Sequence, residues 1–138
     1  MNNSVKLIER VRFSECDSMG VVHHSRYFTW LEEARIELTK LAEIDFIKLS
    51  KENVHFPLIT SSCKYHKFAY YGDEIVVMAE LEYPKFAKLI FNYKVYRTRT
   101  MELLLTATTS HAIMTPDKGV LLTIPQDMRA GIEKMFDV

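Results

Sequence analysis

Between residues 26 and 43 the apolar side chains recur with the period of an α-helix, and this stretch limits the possible folds more than any other feature of the chain. No glycine interrupts it, and Ser25 precedes it as a candidate N-cap. The positions that share the apolar face are Tyr27, Trp30, Leu31, Ala34, Leu38, Leu41 and Ala42. We therefore predict one long helix with a face that must be buried.

The remainder of the chain alternates apolar and polar residues with the period of β-strands. We predict a first strand over residues 5–13 and a short C-terminal helix over residues 125–136, which opens with a proline. The other predicted strands cover residues 57–68, 73–83, 88–97, 101–114 and 119–124. Short turns such as YYGD and YPKF favour antiparallel neighbours. A curved antiparallel sheet that covers the long helix gives the predicted class, α+β.

Composition and charge exclude several classes of protein. The 138 residues suit one domain spanning 1–138, and 18 basic residues balance 18 acidic ones. A chain without net charge has no long-range field for nucleic acid or an anionic membrane. The N-terminal MNNSVKLIER lacks the apolar run of a signal peptide, and no segment approaches the ~18 apolar residues of a membrane span. We therefore expect a cytoplasmic protein without nucleic-acid or membrane partners.

The segment before the helix, residues 15–27, concentrates the chemically versatile side chains of the chain. A metal site built on Cys16, Asp17, His23 and His24 is disfavoured, because adjacent histidines diverge in most backbone conformations. Asp17 and Gly20 also have the spacing of a type I turn, which needs no function. A third interpretation is catalytic: the free N–H groups of a helix start hold an oxyanion. Asp17 would then act beside them as nucleophile or general base.

The segment DSMGVVHHSRYFTWLEEAR resembles the signature of the 4-hydroxybenzoyl-CoA thioesterase-like branch of the hotdog-fold enzymes, to which the YbgC-like and FadM-like proteins belong. The positions in register are Asp17, Gly20, Val21, Val22, His24, Tyr27, Glu33, Ala34 and Arg35. Looser similarity extends through residues 56–77 and 88–97. The resemblance implies a hotdog fold, in which a sheet wraps one long helix. This agrees with the order of elements predicted from periodicity.

The resemblance also implies an activity, hydrolysis of a fatty or aromatic acyl-CoA thioester to free acid and CoA without a metal or cofactor. It assigns Asp17 as the catalytic carboxylate and His24 as the donor of a backbone N–H, with possible assistance from its imidazole. Gly20 and Tyr27 match family positions at the substrate. Arg26 departs from the asparagine that many relatives carry there. In the family the pocket lies at a dimer interface, so a homodimer, or a tetramer made of two dimers, is expected.

Two further residues are predicted to contact substrate. Ser61 falls on the strand that borders the thioester in this fold, and Lys88 matches a basic position that reaches CoA phosphates. Exposed strands also carry such residues without any function. Cys16, Cys63 and His23 are predicted to pack, and His111 to be a satisfied core or interface histidine.

Three alternative functions remain open from the sequence. The first is a thioesterase for acyl-carrier-protein substrates on the same fold. The second is a dehydratase of this fold, which would need a histidine and carboxylate set on the central helix, where this chain keeps the Asp-x-x-Gly turn instead. The third is a non-catalytic module that binds acyl groups.

Overall fold

The computed structural model describes residues 2–138 and has the predicted α+β architecture. Three α-helices lie at Tyr27–Leu41 (α1), Phe46–Lys51 (α2) and Gln126–Met135 (α3), and 3-10 turns at Phe13–Glu15 and His24–Arg26. The strands are β1 (Ser4–Arg10), β2 (Leu58–Tyr65), β3 (Glu74–Leu81), β4 (Lys88–Arg97), β5 (Leu103–Ala112), β6 (Met114–Thr115) and β7 (Gly119–Val120). None of the helices among residues 2–138 has the length and apolar character needed to cross a bilayer.

Five strands form one antiparallel sheet in the order β1-β3-β4-β5-β2, and β6 and β7 form a separate hairpin. Alternate residues of β3 and β4 face α1, as their period predicts. Members of this shared core include Trp30, Leu31, Ala34 and Leu38 from the helix and Ile75, Val77, Phe91, Tyr93 and Val95 from the sheet. The sheet therefore wraps the long helix, which confirms the predicted fold class.

The structure corrects three local predictions. Ser25 does not cap the long helix: His23 has extended backbone angles and caps a preceding 3-10 turn, with its Nδ1 accepting from the Ser25 N–H at 3.2 Å. Residues 119–124 contribute only the two-residue strand β7. The short helix α2 was not predicted; the Asp45 carboxylate accepts from the N–H groups of Ile47 and Lys48 at its start.

Strand β2 forms one edge of the sheet, and it is exposed at every position except the partly covered Cys63. Its large apolar side chains Leu58, Ile59 and Tyr65 are also exposed. A long edge strand of this kind offers unpaired backbone groups to another strand.

Candidate active site

Asp17 is held in a short hairpin that leads directly into the central helix. Its N–H donates to the Val21 carbonyl at 2.8 Å, and the Gly20 N–H closes the turn on the Asp17 carbonyl at 3.1 Å. Gly20 adopts φ +80°, a left-handed conformation that glycine tolerates. The Met19 N–H donates to Oδ1 of Asp17 at 2.8 Å. The turn interpretation is therefore correct, and the turn presents an exposed carboxylate whose Oδ2 lacks a protein partner among residues 2–138.

The second arm of the hairpin brings the chain to the helix start. The His23 N–H donates to the Glu15 carbonyl at 2.9 Å, and His24 then begins the 3-10 turn. Within residues 2–138 the His24 N–H has no acceptor, as expected for a first helical position. The two imidazole rings do not diverge as predicted but lie against each other, with centroids 4.1 Å apart. His23 is exposed and hydrogen-bonds Ser25, so it has a local capping role rather than packing.

Tyr27 is buried and joins the helix start to the loop before β3. Its hydroxyl oxygen accepts from the Ala69 N–H at 3.3 Å, while the Ala69 carbonyl accepts from the Val22 N–H at 2.9 Å. Burial raises the pKa of the Tyr27 phenol above its usual value. The Tyr27 ring meets Tyr65 of β2 edge to face, and the Tyr65 hydroxyl donates to the His24 carbonyl at 3.0 Å. These contacts fix where the helix starts.

Glu15 is a structural carboxylate that sequence reasoning did not single out. It is buried, and its two oxygens accept from the Arg12 N–H at 2.7 Å and from the Trp30 indole N–H at 2.9 Å. The hydrogen bond from Trp30 ties the hairpin to α1. A buried carboxyl group needs such hydrogen-bond partners, but sequence alone does not indicate which of several neighbouring acidic residues turns inward.

Cys16 remains a protonated thiol in this setting. Its pKa is raised, first by burial and then by the nearby carboxylates Glu15 and Asp17. Its Sγ points to the Arg12 carbonyl at 3.6 Å. A thiolate nucleophile needs the opposite environment, so the packing prediction for Cys16 agrees with its surroundings.

An apolar cleft of about 420 Å³ runs along α1 from the helix start toward β2. Ser61 lies on its wall, and its contact with substrate stays a prediction. The other lining residues are Phe28, Glu32, Arg35, Ile36, Phe46, Phe56, Leu58, Leu89, Phe91, Thr109 and His111. The cleft thus borders the first turn of α1 at Phe28 and the exposed edge strand, while Asp17, Gly20, His24 and Tyr27 are not among its lining residues.

A chain of hydrogen bonds crosses the deep side of this cleft. Arg35 Nη1 donates to the Tyr93 hydroxyl at 3.1 Å, that hydroxyl lies 2.7 Å from Thr109 Oγ1, and Thr109 Oγ1 lies 3.1 Å from His111 Nε2. His111 is 5% exposed, and its ring also hydrogen-bonds the backbone of Phe56. Burial first, and then the charge of Arg35, lower its pKa to about 4. The histidine is therefore neutral near pH 7, which fits the prediction of a satisfied core residue.

We expect the neutral state of His111 to make the protein sensitive to acid. The folded state holds the pKa near 4, against 6.5 for the free side chain. Between these values the unfolded chain binds more protons, so stability falls as pH drops from about 6.5 toward 4, by up to about 3 kcal/mol. Urea unfolding of wild type and His111→Gln at several pH values measures this. As the pH falls, the free energy of unfolding should decrease more steeply for wild type than for His111→Gln. Parallel pH dependences of the two proteins would contradict a lowered pKa of His111.

Lys88 lies at the opposite end of the sheet from the helix start. It begins β4 and pairs with Ala112, whereas the Tyr65 end of β2 pairs with Leu105. Lys88 shares a separate cleft of about 240 Å³ with Pro84, Lys85 and Phe86. Within one subunit, four of the predicted site residues lie together at the start of α1: Asp17, Gly20, His24 and Tyr27. Ser61 lies on the wall of the apolar cleft along α1. Lys88 lies far from both, in the separate cleft at the other end of the sheet.

The loop that holds Ala69 depends on residues that the sequence analysis missed. Arg97 donates to the Asp73 carboxylate at 2.8 Å and to the Phe68 carbonyl at 2.8 Å. Asp73 in turn accepts from the Tyr70 N–H at 2.9 Å.

Among residues 2–138 no group of three His, Cys, Asp or Glu side chains is arranged as a metal site. A metal-free reaction stays a prediction.

A sheet wrapped around one long helix is the hotdog arrangement, and the relatives of this chain place it among the thioester hydrolases of that fold. The model of the thioesterase-like superfamily matches residues 11–132, so the chain belongs to that family. YneP of Bacillus subtilis (strain 168), whose name assigns it provisionally as an acyl-CoA thioesterase, is 34% identical over 80% of this chain and 79% of its own length.

Two further comparisons agree with this family. The acyl-CoA thioesterase YbgC of Haemophilus influenzae (strain ATCC 51907 / DSM 11121 / KW20 / Rd) is 26% identical over 98% of each chain. The structure of 4-hydroxybenzoyl-CoA thioesterase from Pseudomonas sp. strain CBS-3 superposes with a TM-score of 0.79, 17% identity and coverage of 91% of this chain and 96% of that one. At this identity the superposition shows the fold.

Proposed function

We propose that this protein hydrolyses acyl-CoA thioesters, with Asp17 as the essential carboxylate. The observation that carries the proposal is the hairpin, which presents an exposed carboxylate and continues into a helix start with a free N–H at His24. An apolar cleft lies along the same helix from Phe28 onward and can receive the acyl group. The names of the relatives YneP and YbgC support the same substrate class.

In the proposed reaction the His24 N–H polarises the thioester carbonyl and stabilises the oxyanion that forms on it. If Asp17 is the nucleophile, its carboxylate bonds to the carbonyl carbon, the carbon–sulfur bond breaks and the CoA thiolate takes a proton. Water then hydrolyses the acyl–aspartyl anhydride. If Asp17 is the general base, it takes a proton from the water that attacks the same carbon, the carbon–sulfur bond then breaks, and the CoA thiolate leaves and takes up a proton. The His24 imidazole is exposed at this end and can assist proton transfer.

The remaining predicted residues receive positioning roles in this proposal. Gly20 allows the turn that presents Asp17, and Tyr27 secures the helix start through Ala69. Ser61 faces the acyl cleft, where its polar groups can contact the pantetheine arm. Neither a metal nor a bound cofactor takes part in the proposed reaction.

We propose that β2 pairs with β2 of a second subunit to form a homodimer. Antiparallel pairing about a two-fold axis would place the Leu58 end of one strand beside the Tyr65 end of the other. The end of the second subunit that carries Lys88 would then approach the Asp17 end of the first, which supports a shared site. Sedimentation equilibrium should give two or four times the 16.1 kDa chain mass. A single-chain mass would refute the pairing.

The activity is tested by release of free thiol from a panel of acyl-CoAs, short to long and aliphatic to aromatic. We expect turnover with at least one ester and none with buffer alone. Parallel assays with the same acyl groups on acyl carrier protein separate the two thioesterase alternatives. Binding without thiol release would instead support a non-catalytic acyl-binding module.

Lys88→Glu tests whether the second cleft binds the nucleotide end of CoA. We expect KM for an acyl-CoA to rise about tenfold, because a charge-assisted contact to phosphate is lost, with a smaller change in kcat. The matched acyl-pantetheine ester lacks the nucleotide and should respond little. Lys94→Glu, on the same strand but outside that cleft, is the control for net charge. Equal losses with both esters would show that Lys88 does not contact the nucleotide.

A further inference from the structure

We infer that Arg35 selects acyl groups that end in a carboxylate, so that the preferred substrates are CoA monothioesters of dicarboxylic acids. This inference rests on the proposed thioesterase function and names the substrate class for it. The observations that carry it are the position of Arg35 at the end of the hydrogen-bond chain beside the cleft, the unpaired charge of Arg35, and the distance of Arg35 from the helix start.

Arg35 stands at one end of the hydrogen-bond chain and His111 at the other. Arg35 Nη1 donates to the Tyr93 hydroxyl, and Thr109 Oγ1 hydrogen-bonds both that hydroxyl and His111 Nε2. The polar side chains behind Arg35 thus have partners within the chain. The Arg35 guanidinium has five N–H donors, so it keeps further N–H groups for a ligand in the cleft.

The charge of Arg35 lacks a partner within the subunit. Arg35 is half-buried, and no carboxylate among residues 2–138 lies within ion-pair distance of its guanidinium. Glu32, one turn nearer the helix start, lines the same cleft but is exposed at its mouth and makes no such pair. A guanidinium in an apolar cleft binds a carboxylate with two parallel hydrogen bonds better than it binds a neutral group.

The position of Arg35 along α1 sets the length of the acyl group. Tyr27 and Arg35 are both on α1, and eight residues of helix rise about 12 Å. The arginine side chain leans toward the helix N-terminus, which shortens the gap to the reacting carbonyl by a few ångström. With carbon–carbon bonds of about 1.5 Å, a dicarboxylic acyl group of about six to eight carbons fits that gap. Apolar walls such as Phe28 and Ile36 would contact its methylenes.

The test compares kcat/KM for adipoyl-CoA and suberoyl-CoA with hexanoyl-CoA and octanoyl-CoA. For wild type we expect a preference of about 10- to 100-fold for the ester of matched length that carries the carboxylate, typical of hydrogen bonds to a charged group. Arg35→Met should reduce this ratio to near unity. Lys40→Met removes an exposed cation from the same helix, outside the cleft, and should leave the ratio as in wild type.

Two measurements separate failure of the inference from failure of the proposed function. Titration calorimetry on Asp17→Asn compares binding of suberoyl-CoA and octanoyl-CoA without turnover, and the same preference is expected. That preference without thiol release from wild type would refute the thioesterase and retain the role of Arg35. Turnover without a preference would refute the role of Arg35 and retain the thioesterase. Sedimentation of Arg35→Met should show an unchanged assembly; dissociation would mean that Arg35 pairs with a carboxylate of another subunit, which also refutes the inference.

Discussion

Asp17→Asn is expected to reduce kcat for acyl-CoA hydrolysis by about 10²- to 10⁴-fold, the contribution typical of a positioned carboxylate in proton transfer. Asparagine keeps an oxygen at the Oδ1 position, so it can still accept from the Met19 N–H and preserve the turn. It lacks the negative charge needed for attack or for deprotonation of water. Steady-state thiol release from purified wild type and variant measures the loss.

The control for this prediction is that the Asp17→Asn variant folds and assembles as wild type does. The melting temperature and sedimentation of Asp17→Asn should equal those of wild type, because Asp17 is exposed and its turn bond is retained. Ser18→Ala, at the next position of the same turn, should retain activity. If Asp17→Asn keeps most of its turnover, Asp17 is not the essential carboxylate and the proposed mechanism is wrong.

Gly131→Ala is expected to destabilise the protein by about 3 kcal/mol or more, the upper range for overpacking in a core. Gly131 lies on the buried face of α3, and a Cβ there would overlap the carbonyl oxygen of Ala42, just beyond the end of α1. The overlap is with backbone, so no change of rotamer relieves it. The helix α3 must therefore move away from the core formed with Met128, Ile132 and Met135.

The sign of this effect makes the measurement decisive. In an exposed helix, replacing glycine by alanine stabilises by about 1 kcal/mol through helix propensity. Urea unfolding of Gly131→Ala should instead show a large loss, while Ala130→Gly in the same helix should lose only about 1 kcal/mol. An increase in stability for Gly131→Ala would contradict the close approach of the two helices.

The main elements of the fold were predictable because each is encoded by local periodicity. The long helix and strands β3 and β4 occur where the 3.6-residue and two-residue patterns place them, and the buried faces agree with the pattern. The helix α2 was missed because six residues are too few to show a period. The cap at Ser25 was wrong because the chain inserts a 3-10 turn, which a propensity argument does not distinguish from a helix start.

The candidate site was predictable where its residues are neighbours in sequence, and unpredictable where they come from distant segments of the chain. The Asp17 turn and the helix start lie within a few residues, so spacing and turn chemistry locate them. Glu15 gave no signal, since an inward-facing carboxylate beside exposed ones looks the same in sequence. The remoteness of Lys88 from Asp17 within one subunit depends on strand order, which local patterns do not contain.

The sequence by itself determined that an amphipathic helix would be covered by an antiparallel sheet, and that Asp17 would stand on a glycine turn beside the helix start. Hydrophobic period and turn chemistry act over a few residues, so both can be deduced from neighbours along the chain. Only the tertiary structure decided that Arg35, Tyr93, Thr109 and His111 join in one chain of hydrogen bonds beside the cleft. These four residues come from a helix and two strands, and the packing of α1 on the sheet brings them within hydrogen-bond distance.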